Sequence, residues 1–153
     1  MRLWFASGFC VAFMSSAWAG DGAALFAQNC ALCHQSSGAG LPGQFPRLAG
    51  RVGAISTHDL GRSYLIDVLT YGLSGTVTVD DQEIIGVMPA FNALPDDVVA
   101  DILSYVQTLG DRPAKPSKSF SKQEVASERA KQAKSPDEMQ GERQELKRAK
   151  VIP

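Results

Sequence analysis

Residues that bind metals or act as nucleophiles are scarce in this sequence of 153 residues. It contains three cysteines and two histidines. The sequence shows no Ser/His/Asp order typical of a hydrolytic triad. Apart from one motif described below, it shows no cluster of metal-binding residues. The acidic pairs Asp80-Asp81 and Asp96-Asp97 fit a turn and a helix start better than a pair of catalytic carboxylates. The sequence therefore predicts a protein that is not an enzyme.

Long hydrophobic runs are also missing. The apolar stretch over residues 3–14 is about 12 residues long and is too short to cross a ~30 Å hydrocarbon core comfortably. It is followed by Ser15-Ser16-Ala17-Trp18-Ala19, which ends in the pattern of small residues that signal peptidase reads. We expect residues 1–19 to be a signal peptide, cleaved after Ala19, and the protein to be periplasmic. Retention of this segment as a membrane anchor stays open as an alternative.

After the predicted signal, the first part of the chain is acidic and the last part is basic. Residues 20–110 carry nine acidic and three basic side chains, whereas residues 111–153 carry seven acidic and eleven basic ones. Nearly all the large hydrophobic residues also precede Pro113. We therefore expect an acidic domain over residues 20–112 and a basic, polar tail, disordered or partly helical, over residues 113–153.

The tail has few large hydrophobic residues. Met139, Leu146 and Val151 are too sparse to suggest much buried surface, although Ser135-Pro136-Asp137-Glu138 is a good helix start. We expect a solvated and partly helical extension, because isolated helices of this length are marginal in water. Its charge suggests contact with an acidic partner, an anionic membrane surface or the acidic domain of the same chain.

Helical patterns in the domain alternate with long loops. The segments with a helical pattern, each bounded by a cap or a glycine, are residues 22–29, 62–71 and 96–109. A short hairpin is predicted around Asp80-Asp81, and residues 35–50 are expected to be loop. So small a domain with so much loop has a thin core, which a metal or a large apolar cofactor would complete.

The most specific motif is Cys30-Ala31-Leu32-Cys33-His34. Two cysteines at this spacing, followed directly by a histidine, are the attachment sequence for haem c. One helical turn lets both thiols reach the vinyl groups of the haem, and the imidazole of His34 then lies at the iron. We expect one covalently bound haem c, held by Cys30, Cys33 and His34.

Three other interpretations of this motif are weaker. A thioredoxin-type redox pair would need a βαβ surrounding, which the pattern of helices and loops does not offer. A structural zinc site needs four ligands, and His58 is the only further cysteine or histidine after the predicted signal. A disulfide across two residues would be strained and would not need the histidine.

Met88 is the best candidate for the second axial ligand of the iron. A thioether ligand stabilises the ferrous state, and the chain after the predicted signal has only Met88 and Met139. Met88 lies in Gly86-Val87-Met88-Pro89, just before the last helix of the domain, and Pro89 stiffens this loop. The alternatives are that Met88 only fills the core, or that His58, in a polar segment, is the ligand.

Residues 20–110 resemble the class I c-type cytochromes. Gly22, Phe26 and Cys30 keep the spacing at the start of that family. Ile102 and Tyr105 match the positions at which the last helix of the family packs against the first.

A second part of the resemblance lies in Pro46-Arg47-Leu48. It is similar to the loop whose proline carbonyl accepts a hydrogen bond from the histidine ligand, which would orient His34. Leu48 would then pack on the haem. The last helix departs from the family because Leu94-Pro95-Asp96-Asp97 replaces its usual Ser or Thr cap, and the basic tail has no counterpart in the minimal family pattern.

The resemblance implies a mainly α cytochrome c fold, with three or four helices and long loops around one covalent haem, followed by a charged extension. It implies transfer of single electrons between redox proteins such as a periplasmic dehydrogenase or a terminal oxidase. Export and the mixed charge of the chain argue against a nucleic-acid partner. The segments around Pro46 and Met88 look most like bacterial cytochrome subunits of such chains. Two alternatives stay open: a subunit held tightly in a larger oxidoreductase, and a haem sensor whose ligand displaces Met88.

Overall fold

The computed structural model describes residues 21–111, 113–114 and 116–153, and the predicted signal peptide lies outside these ranges. The described part is mainly α, as expected, with seven helices and one two-stranded sheet. In chain order the elements are α1 (Gly22–Asn29), α2 (Ala31–His34), α3 (Arg51–Ile55), α4 (Asp59–Tyr71), β1 (Leu73–Val79), β2 (Gln82–Met88), α5 (Asp96–Val106), α6 (Lys122–Arg129) and α7 (Pro136–Arg148). Within the described ranges, none of the helices has the length and apolar character needed to cross a membrane.

Helices α1 and α5 cross at close range. A Cβ atom at Gly22 would lie 2.4 Å from the carbonyl oxygen of Asp101, so only glycine allows this approach. The rings of Phe26 and Tyr105 pack with their centroids 5.6 Å apart, and Ile102 is 1% exposed. The helix crossing that the resemblance implied is therefore present.

The hairpin β1–β2 follows α4 directly. Gly72 ends α4 with a φ of +77°, and the strands then pair antiparallel from Leu73 with Met88 to Val79 with Gln82. The tight turn between them has positive φ at Asp80 and Asp81, a conformation that aspartate tolerates better than most residues. The predicted hairpin and the glycine stop are thus confirmed, whereas the short helix α3 was not predicted.

The expectation of a solvated tail is wrong. Met139, Leu146 and Val151 are 0%, 5% and 8% exposed and join the main hydrophobic core. Phe120 and Val125 of the same segment are buried in that core too. The few apolar side chains of the tail are enough because they cover a core surface that the small domain leaves open.

The tail contains two helices, α6 and α7. Ser135 and Glu138 form a capping box at the start of α7, in which the Ser135 side chain accepts a hydrogen bond from the Glu138 backbone and the Glu138 carboxylate accepts one from the Ser135 N–H. Ser121 caps α6 in a similar way, by accepting a hydrogen bond from the Glu124 N–H.

Ion pairs join the tail to the domain. Lys134 Nζ lies 2.6 Å from Asp67 Oδ2, and Arg129 Nη1 lies 2.8 Å from Asp96 Oδ1. Each pair joins a basic residue of the tail to an acidic residue of the domain. Of the three contact surfaces considered for the tail, its own acidic domain is the one seen in the structure.

Candidate functional site

Cys30, Cys33 and His34 lie on one helical turn. Cys30 ends α1 and donates its N–H to the Phe26 carbonyl at 2.8 Å, while the Cys33 and His34 N–H groups both donate to the Cys30 carbonyl, at 3.2 and 3.0 Å. Both thiols are free and half-buried, whereas His34 is buried. The local backbone therefore gathers two sulfur atoms and one imidazole at a single turn.

The His34 ring is held by the loop that follows it. Its Nδ1 donates to the Pro46 carbonyl oxygen at 2.9 Å, because that carbonyl can only accept. Burial lowers the pKa of His34, and the hydrogen bond to Pro46 offsets this only in part. A neutral ring with the proton on Nδ1 leaves Nε2 free as a metal ligand.

Glycine backbone geometry brings Pro46 to His34. Gly40, with a φ of +68°, donates its N–H to the His34 carbonyl at 2.9 Å. A Cβ atom at Gly40 would lie 2.4 Å from the Phe45 carbonyl oxygen, so the two arms of the loop can close only around glycine. Leu48 is half-buried and packs against the main core, and its N–H donates to the Gly38 carbonyl.

Met88 is placed by a different element, the end of β2. It is half-buried and pairs with Leu73 at the start of the hairpin. Gly72 packs against it so closely that a Cβ atom there would lie 2.5 Å from the Met88 carbonyl oxygen. This contact was missed in the sequence, where Gly72 was interpreted only as a helix stop.

The two other residues considered for the axial position, Met139 and His58, lie in the tail and at the start of α4. Met139 is completely buried among the core residues of the tail. His58 is exposed at the N-terminus of α4. Within the residues that the structure describes, no group of three or more His, Cys, Asp or Glu side chains could hold a metal ion.

The thiol chemistry also disfavours a thioredoxin-type pair. Burial, and then the neighbouring Cys33, raise the pKa of Cys30 to about 11. A redox-active thiol in that class needs a lowered pKa, because the thiolate is the nucleophile. The raised pKa of Cys30 is the opposite of what that class requires.

Apolar side chains are exposed on the segments that carry the candidate ligands. Leu32, between the cysteines, is 91% exposed, Val87, before Met88, is 77% exposed, and Phe45, before Pro46, is 36% exposed. Exposed apolar side chains of this size are candidates for contact with an apolar group or with a partner protein. Two thiols and one neutral imidazole on a single turn fit a covalently attached haem.

A comparison with protein families agrees with this geometry. The family model described as cytochrome c oxidase, cbb3-type, subunit III matches residues 17–106, more than half of the chain. The chain belongs to this cytochrome c family. Membership implies a covalently bound haem c and electron transfer through it, and it agrees with the mainly α fold.

Individual relatives of this cytochrome c extend the similarity. Cytochrome c-552 of Thermus thermophilus is 44% identical over 128 residues, which cover 82% of this chain and 96% of the relative. The fructose dehydrogenase cytochrome subunit of Gluconobacter japonicus is 40% identical over 93 residues, 56% of this chain but only 18% of that protein.

The similarity to cytochrome c-552 reaches into the tail. Less than a fifth of the chain lies outside the match, whereas residues 113–153 make up more than a quarter of it. The C-terminal segment of this cytochrome c is therefore in part shared with that relative, although the family model ends at residue 106.

A bidentate ion pair that the sequence did not reveal links the loop after His34 to the hairpin. Arg47 donates from Nε to Asp80 Oδ2 and from Nη2 to Asp80 Oδ1, both at 2.7 Å. The hydrogen bonds from Arg47 lower the pKa of Asp80. Arg47 follows Pro46 directly, and Asp80 lies at the opposite end of the hairpin from Met88.

Proposed function

We propose that this cytochrome c is a periplasmic carrier of single electrons, with His34 and Met88 as the axial ligands of its haem iron. The observation that carries the proposal is the 2.9 Å contact between His34 Nδ1 and the Pro46 carbonyl, which leaves Nε2 as the coordinating atom. In this proposal Cys30 and Cys33 form the two thioether bonds, residues 1–19 are the cleaved signal, and residues 20–112 form the haem domain.

Each residue of the site has a defined task in this proposal. When bound, the haem supplies an iron that alternates between the ferrous and ferric states. His34 keeps its orientation through Pro46, which makes its imidazole more electron-donating. Met88 offers a thioether that favours the ferrous state and raises the reduction potential. Leu48 and the apolar side chains near the site limit the access of water.

The roles of the residues imply a carrier and not an enzyme. An outer-sphere electron step needs neither a nucleophile nor a general base, and fixed axial ligands keep the rearrangement small. Exposed Leu32 and Val87 offer an apolar surface that a redox partner could contact while it exchanges an electron.

The test is the absorption spectrum of the exported protein and of its Met88→Ala variant. We expect a pyridine haemochrome spectrum typical of two thioether bonds, and a weak red band in the oxidised wild type that reports sulfur ligation. Met88→Ala should keep the covalent haem but lose the red band and bind carbon monoxide readily. Cys30→Ser with Cys33→Ser should give a colourless protein. A wild type without the red band, or a Met88→Ala variant that keeps it, would contradict the axial assignment.

A second candidate function is that of a cytochrome subunit bound to a dehydrogenase. The similarity to the fructose dehydrogenase cytochrome subunit favours it, although the match covers only a small part of that protein. Purification from the native host under gentle conditions separates the two candidates. A dehydrogenase that copurifies in a fixed ratio supports the subunit, whereas a monomeric red protein supports the free carrier.

A further inference from the structure

A single tail side chain joins three parts of the domain next to Met88. Arg129, the last residue of α6, donates from Nη1 to the Leu94 carbonyl at 2.8 Å and from Nη2 to the Phe91 carbonyl at 3.5 Å. Its Nη1 also reaches Asp96 Oδ1 at 2.8 Å, and its Nε donates to Thr70 Oγ1 at 3.3 Å. The guanidinium thus links the loop after Met88, the start of α5 and the end of α4.

The loop over residues 89–95 has few other anchors. It leaves β2 at Met88 and enters α5 at Asp96, and most of its side chains are exposed. The Phe91 N–H donates to the Leu69 carbonyl at 2.7 Å, and the Leu94 N–H donates to the Phe91 carbonyl at 3.0 Å. The two loop carbonyls that Arg129 contacts therefore belong to the residues that fix the course of this loop.

The surroundings of Arg129 make it a rigid support. Its side chain is 17% exposed, and Asp96 supplies a compensating charge. Thr70 is buried and donates its own hydroxyl to the Ile66 carbonyl at 2.9 Å, so its oxygen is held in place for Arg129. A planar guanidinium has three nitrogen atoms and can donate to all four acceptors at once. A lysine ammonium has a single nitrogen and cannot reach them all.

We propose that Arg129 is a positioning residue that keeps the Met88 thioether in place, and that the C-terminal segment thereby takes part in axial ligation. This inference rests on the proposed function, since it assumes Met88 as a ligand. Arg129 does not touch the iron. It holds the carbonyls of Phe91 and Leu94, and this fixes the conformation of the loop that connects them to β2. Without that support the loop gains freedom, and the methionine leaves the iron more often.

The experiment compares full-length holoprotein variants. Arg129→Gln removes the charge and most of the contacts, and Arg129→Lys keeps the charge alone. Glu124→Gln is the matched control, because Glu124 lies on the same helix and forms a bidentate pair with Arg62 of α4, away from the Met88 loop. The readouts are the weak red band, the affinity of the ferrous form for carbon monoxide, the reduction potential and the melting temperature.

The expected results separate positioning from stability. Arg129→Gln should weaken the red band, lower the reduction potential and raise carbon monoxide affinity about tenfold or more, with Arg129→Lys in between. Glu124→Gln should lower the melting temperature about as much as Arg129→Gln does. It should leave the red band, the reduction potential and the carbon monoxide affinity unchanged.

Three other outcomes overturn different claims. If wild type shows the red band and Arg129→Gln leaves it and the carbon monoxide affinity unmoved, Arg129 has no positioning role and the proposed ligation stands. If Glu124→Gln changes the spectrum as much as Arg129→Gln does, the effect belongs to tail docking in general and the assignment to Arg129 is wrong. If the wild type lacks the band, the proposed ligation itself fails.

Discussion

Gly72 is the residue at which helix α4 gives way to the strand that pairs with Met88. Its backbone, at φ +77° and ψ −174°, is one that other residues adopt only at a cost of about 1–3 kcal/mol. A side chain there would also meet the Met88 carbonyl. We expect Gly72→Ala to lower the free energy of unfolding by about 2–4 kcal/mol and to weaken the red band, as measured by denaturation and absorption of the holoprotein.

The matched control for Gly72→Ala is Gly43→Ala. Gly43 also has a positive φ, of +72°, but a Cβ atom there would meet nothing within 4 Å. Gly43→Ala should therefore lower the free energy of unfolding by no more than about 1–2 kcal/mol and leave the spectrum unchanged. Equal effects of the two substitutions would show that the contact with Met88 is unimportant.

Helix α6 is attached to α4 by the pair between Arg62 and Glu124. Arg62 is 4% exposed and donates to both carboxylate oxygens, at 2.6 and 2.8 Å, while its guanidinium lies over the Phe120 ring. We expect Glu124→Gln to lower the free energy of unfolding at neutral pH by about 2 kcal/mol, because one partner of a buried charged hydrogen bond is lost. Denaturant unfolding at pH 7 measures this.

The same pair predicts a pH dependence with a definite sign. The hydrogen bonds from Arg62 lower the pKa of Glu124 in the folded protein, so its stabilising effect is complete above the ordinary carboxyl pKa of about 4.3. That effect is lost as the pH falls through the lowered value. The stability difference between wild type and Glu124→Gln should therefore shrink on acidification, whereas Glu145→Gln, at an exposed site of α7, should change stability little at any pH.

The whole molecule depends on the burial of the C-terminal segment. Met139 is fully enclosed in the core, so Met139→Ala leaves a cavity and should cost about 2–5 kcal/mol. Gln144→Ala, at an exposed position of the same helix, should cost less than about 0.5 kcal/mol. Thermal unfolding of the holoprotein measures both, and a neutral Met139→Ala would mean that the tail does not dock in solution.

Sequence patterns that span only a few residues were sufficient to predict several features of this protein. The turn that gathers Cys30, Cys33 and His34, the capping box at Ser135 and the hairpin turn at Asp80 all depend on hydrogen bonds between near neighbours. The spacing of the attachment motif also depends only on the reach of one helical turn. Such features are visible in the sequence because the atoms that decide them are close along the chain.

Only the tertiary structure decided how the tail and the Met88 loop are held. Arg129 contacts Leu94 and Thr70, which lie 35 and 59 positions away in the sequence. The sparse hydrophobic residues of the tail predicted exposure because a pattern along one segment does not show which core surface the rest of the fold leaves open. Burial is a property of two surfaces that meet, and the second surface exists only once the chain has folded.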